Sequence, residues 1–121
     1  MNWDVEHTDE FENWWVNDLD DAERQSVGAR ISLLEERGPD LDHPYSSGIT
    51  TSAYSHMREL RIQHKGEPYR VFYAFDPRRT AILLIGGKKT GDNRWYEEYV
   101  PYADSLYTAY LEELRKEGVV Q

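Results

Sequence analysis

The chain has no cysteine, five prolines, two methionines and few cations: 14 Lys/Arg stand against 23 Asp/Glu, for a net charge of −9. Without cysteine there can be no disulfide, no thiolate zinc site and no cysteine nucleophile, and the composition agrees with a reducing, cytoplasmic setting. Long apolar runs are also missing. The longest, Ala81–Ile85, is five residues, far short of the ~20 that cross a bilayer. The opening Met1-Asn2-Trp3-Asp4 is acidic and lacks an apolar stretch, so it is not read as a signal peptide. His7, His43 and His56 show no metal-ligand spacing, and neither metal nor cofactor is expected. Gly86-Gly87-Lys88-Lys89-Thr90 is no phosphate loop, because Ile82 stands where its first glycine belongs and Lys89 where Ser or Thr is needed.

What is present suits one globular domain over residues 1–121, with 39% hydrophobic and 31% charged residues. A whole-chain charge of −9 argues against nucleic acid, whose phosphates attract cations. The distribution argues otherwise. Residues 56–94 hold nine Lys/Arg against four Asp/Glu, and the rest hold five against nineteen. That asymmetry predicts a basic surface on an acidic body.

Periodicity predicts the elements. Residues 2–7 alternate as a short first strand. Thr8 caps a first helix with its apolar stripe at Phe11, Trp14, Trp15 and Leu19. Asp20 or Asp21 caps a second, running to about Arg37, with Val27, Ile31 and Leu34 inward and Gly38-Pro39 as its stop. Residues 38–55 show no period and are expected to be a long loop, in which Tyr45 and Tyr54 are free to meet a base or a partner. Strands follow at Met57–His64, Tyr69–Phe75 and Thr80–Ile85, the last apolar and central, ended by Gly86-Gly87. Asp92 to about Glu117 reads as a helix interrupted near Pro101. The order β-α-α-β-β-β-α is an α+β domain, with two N-terminal helices and a C-terminal helix on a curved antiparallel sheet.

Three segments in order, Met57-Arg58-Glu59-Leu60-Arg61, Tyr69-Arg70-Val71-Phe72-Tyr73 and Lys88-Lys89-Thr90, resemble the RelE/ParE toxin superfamily, in particular its HigB-type, phage Gp49-like branch. The resemblance implies the microbial RNase-like toxin fold. It implies a type II toxin with a cognate antitoxin, usually of helix-turn-helix type, and metal-independent cleavage of mRNA, commonly on the translating ribosome. Two other outcomes stay open: a ParE-like toxin that binds DNA gyrase without cutting, and a phage-derived antitoxin-binding protein with no activity. Ribosome-dependent members of the superfamily are often strongly basic, which this chain is not.

Cleavage through the RNA 2′-hydroxyl needs a base, an acid and cations around the phosphate. Arg61 and Arg70, held in strands, suit bidentate phosphate contacts. Lys88, and after it Lys89, suits electrostatic stabilisation or proton delivery. His64 and Tyr73 are the candidate acid/base groups, and Arg58, Lys65, Arg78 and Arg79 the candidate RNA-binding cations. The plain alternatives are a strand arginine paired with an acidic neighbour, a solvated lysine tip, a surface histidine and a core tyrosine. The catalytic reading requires Arg70 and Lys88 to point to the same side of the molecule.

Overall fold

The computed structural model describes residues 2–91 and 94–119. After β1 (Val5–His7), Thr8 ends the extended chain and caps α1 (Asp9–Asn17) by accepting from the Phe11 amide at 2.9 Å. Asp20 and Glu23 close a reciprocal capping box at the start of α2 (Asp21–Arg37). Gly38 ends α2 at φ +57°, a region costly for a residue with a Cβ, and a side chain there would also run into the Trp3 indole.

Residues 38–55 depart from the expected loop. A short 3₁₀ turn, Gly38–Asp40, leads to a strand, β2 (Ser46–Gly48), which pairs antiparallel with β3 (Arg58–His64). Ser-Ser-Gly has neither β propensity nor apolar alternation, so the strand exists only through its partner. β4 (Glu67–Phe75) and β5 (Ala81–Lys88) complete an antiparallel run, with a β-bulge at Phe72/Tyr73.

The sheet order is β1-β5-β4-β3-β2. The helical hairpin carries the chain from one edge to the other, and the meander returns strand by strand until β5 lies parallel to β1. The α+β class holds, but the sheet is mixed rather than purely antiparallel. β5 is an interior strand rather than the central one, which is β4, and Ala81 to Gly87 are all buried. It does not stop at Gly86-Gly87. Those glycines let helices approach from both faces: a Cβ on Gly86 would strike Trp14 of α1, and one on Gly87 would meet Tyr99 and Trp95 of α3 at about 3 Å. Successive strand residues face opposite ways, so α1 and α2 cover one face and α3 (Arg94–Lys116) the other.

Helix α3 runs unbroken past Pro101, against the expected interruption. Proline removes one N–H, whose natural acceptor is the Glu97 carbonyl, while Trp95, Val100, Ala103 and Tyr107 stay buried on either side and hold the axis. The expected start at Asp92 lies outside the described residues.

Candidate functional site

The pleat decides which predicted residues meet. Arg61 of β3 lies directly opposite Arg70 of β4, and Arg70 opposite Gly87 of β5. All three therefore face α3. Glu59, two residues before Arg61 and so on the same face, lies between the guanidiniums: its Oε1 is 3.5 Å from Arg70 Nε and its Oε2 3.3 Å from Arg61 Nη1. The Tyr96 hydroxyl from the first turn of α3 donates to Glu59 Oε1 at 2.8 Å, and Ser47 of β2 donates to Oε2 at 3.0 Å. Arg70 also donates through Nη1 to the Tyr69 carbonyl and through Nε to Tyr96. Lys89 passes over the Tyr96 ring, its Nζ 5.6 Å from the centroid.

Burial grades this cluster. The side chains of Glu59 and Arg70 are 5% and 7% exposed, whereas Arg61 is one-third exposed. Glu59 and Arg70 form a buried, hydrogen-bonded ion pair, and Arg61 and Lys89 are the cations turned toward solvent. Burial pushes the Tyr96 phenol above its ordinary pKa; its bond to Arg70 opposes that shift and its bond to Glu59 adds to it. Glu59 and Tyr96 also floor a cleft of about 500 Å³ whose rim includes Gly48, Thr50, Thr51 and Glu97.

The other predicted residues lie elsewhere. Lys88 follows Gly87 and so takes the face of Gly86 and Tyr69, where its Nζ is 3.8 Å from Glu67. Arg70 and Lys88 thus point to opposite sides, and the pairing the sequence reading required does not form; Lys89 stands on the α3 side in its place. His64 is on the α2 side, its Nδ1 2.7 Å from the Ser26 hydroxyl. Tyr73 is 1% exposed and bonded to Ser46, and Arg58 reaches Ser46 and Asp42 on that side. Lys65 is in the β3–β4 turn, at φ +50°. Arg78 is held by Asp76, Glu6 and Tyr110, and Arg79 stacks on Trp3 at 5.1 Å. Both belong to the β4–β5 turn, which follows Phe75, five strand residues beyond Arg70, so at ~3.3 Å per residue the turn begins about 17 Å from Arg70.

The expected basic surface is therefore dispersed. Arg58, Arg61, Arg70, Arg78 and Lys88 are each ion-paired, because the few acids of residues 56–94 and their neighbours fold back onto the cations. Nor are the two loop tyrosines free. Tyr45 lies under Arg30 and Arg37, and Tyr54 packs edge-on against Tyr107 and bonds Thr108.

Sequence reasoning passed over Glu59 and Ser47 as members of the site. Glu59 carried a signal, a lone acid two residues before Arg61 on the same strand face; Ser47 carried none, since its strand was not expected.

The profile of the phage-derived, Gp49-like protein family (DUF891) matches residues 14–108. Two proteins of Mycobacterium tuberculosis (strain ATCC 25618 / H37Rv) are similar to this chain. The candidate toxin HigB3 is 42% identical over 96 residues, covering 78% of this chain and 82% of HigB3. The candidate toxin HigB2 is 38% identical over 99 residues, covering 80% of this chain but only about half, 49%, of HigB2. Among solved structures, a conserved hypothetical protein of Helicobacter pylori, HP0894, aligns with a TM-score of 0.42 at 19% identity, over 73% of this chain and 94% of that one.

Proposed function

This chain belongs to the phage-derived, Gp49-like family, and on that premise we propose that it is the toxin of a type II toxin–antitoxin system, acting in the cytoplasm as a metal-independent endonuclease on mRNA, with the translating ribosome as its setting. The relatives named as candidate toxins support the toxin reading and with it a cognate antitoxin as partner; the helix-turn-helix type of that antitoxin is what the family resemblance implies. The form of the nuclease reading that paired Arg70 with Lys88 is overturned, and a revised form, with Lys89 in that place, is carried by one observation: Arg61 and Arg70 face each other across neighbouring strands with Glu59 between them and Tyr96 bonded to it.

In this reading Arg61 and Lys89, the solvent-facing cations, hold the scissile phosphate and its growing charge. Glu59 takes the 2′-hydroxyl proton, directly or through Tyr96, as the 2′-oxygen bonds to phosphorus and the 5′-oxygen leaves. Lys89 gives a proton to that leaving oxygen, so that it departs as a hydroxyl. Arg70 holds Glu59 in place through their buried ion pair. His64 and Tyr73, on the far side of the sheet, take no part.

The non-cutting alternative, a toxin that binds DNA gyrase, is favoured by a different observation: Arg70 is already neutralised by Glu59 and almost shut off from solvent. Induced expression separates the two. For a nuclease, wild-type protein arrests growth and primer extension shows new mRNA 5′ ends. Arg61→Ala and Lys89→Ala then abolish both while the circular dichroism spectrum is retained, and Lys88→Ala changes neither. Growth arrest that survives Arg61→Ala and Lys89→Ala, with no new mRNA ends, overturns cleavage and leaves the binding toxin.

A further inference from the structure

A groove of about 500 Å³ runs between α1 and α2, on the opposite face of the sheet from Glu59 and Arg70. Phe11, Trp15, Val16, Ile31 and Leu83 line it around Gly28. With no side chain at Gly28, part of the Trp15 indole stays exposed; a Cβ there would lie against its ring at 3.5 Å. Val16 is 56% exposed. Apolar surface left in water favours any association that buries it.

The charged residues in the groove are Glu12 and Glu35, with His7 3.8 Å from Glu12. Residues 9–37 hold nine Asp/Glu against three arginines, and those arginines are committed: Arg24 to the carbonyls of Trp15 and Val16, Arg30 and Arg37 to the Tyr45 ring. The groove is apolar at its floor and lies in a negative field.

We propose that this groove docks an amphipathic, cationic segment of a protein partner, whose apolar side chains fill it while lysines or arginines meet Glu12 and Glu35. Charge selects this occupant. A second copy of this chain brings its own net −9, and nucleic acid and anionic membrane carry the same sign as the groove. The inference does not depend on the nuclease reading. It places the partner behind the sheet, leaving Arg61 and Lys89 uncovered.

Titration of the ¹⁵N-labelled chain with a synthetic 16-residue leucine–lysine amphipathic helix tests it, with a leucine–glutamate peptide of the same apolar spacing as the comparison. The lysine peptide is expected to shift the amides of Val16, Gly28 and Ile31 and the Trp15 indole, and the glutamate peptide to shift none of them. Val16→Asn weakens the lysine peptide at least tenfold, and Glu12→Lys with Glu35→Lys reverses the preference between peptides. All three positions reach solvent, and the spectrum itself reports whether the fold is kept. Equal response to both peptides, no response to the lysine peptide, or shifts gathered instead in the separate cleft between α1 and α3 that Asp9, Glu98 and Tyr102 line overturn the proposal.

Discussion

Glu59 is the residue on which the α3 face turns. A buried carboxylate is tolerated only when its charge is met, and here two guanidiniums, a phenol and a serine hydroxyl meet it. Glu59→Gln keeps the shape but leaves the Arg70 guanidinium buried without its counter-charge. The expected loss is about 3 kcal/mol in urea denaturation; a loss under about 1 kcal/mol would show that water reaches Arg70 freely. The buried tyrosines set the alkaline limit. Tyr69 is pushed up to about 12, first by burial and then by its hydrogen bond to Glu23, and Tyr107 to about 12, first by burial and then by the charge of Asp76. The unfolded phenols ionise near 10 and the folded ones later, so their contribution is whole below pH 10 and is lost as pH rises from about 10 to about 12. The urea midpoint should fall across that window, and Tyr69→Phe should make the fall shallower.

Among the elements, β5 shows how glycine serves packing rather than termination. Gly86-Gly87 looks like a strand end, yet each glycine admits an aromatic from a different face: Trp14 from α1, and Trp95 with Tyr99 from α3. Gly86→Ala should cost about 2 kcal/mol by forcing Trp14 off its position, measured as a lower urea midpoint, whereas Gly66→Ala, with open space around it, should lose only the smaller penalty of its φ of +80°. Equal losses at the two positions would mean that α1 yields easily. Legibility varied for the same reason. α1 and α2 could be read from their caps and apolar spacing, because those signals act within a few residues. β2 could not, because Ser46–Gly48 becomes a strand only against Arg58–Leu60, and Ser47 reaches Glu59 only through that pairing.

At the scale of the whole molecule the protein is two-sided. The arginine–glutamate–tyrosine cluster looks out beside α3, and an acid-rimmed apolar groove opens between α1 and α2. Cations spread over both faces and both ends of the sheet cannot all touch one strand of RNA. If Arg61 and Lys89 alone meet phosphates, log–log plots of RNA affinity against salt should have a slope of about −1.4, from ~0.7 per phosphate on single strands. A slope steeper than about −4 would require Arg58, Lys65, Arg78 and Arg79 to join them, and with them a rearrangement of their ion pairs.

From the order of residues alone came the α+β class, the helical hairpin, the three-strand meander and the short list of cations, since each depends on periods of 2 or 3.6 and on caps that act locally. Which cations share a face was settled by folding. Whether position 88 or 89 stands beside Arg70 depends on how far β5 runs, and that depends on two helices pressing against adjacent glycines. The sequence displays the charges, but the pleat assigns each one a side and the packing chooses its partner.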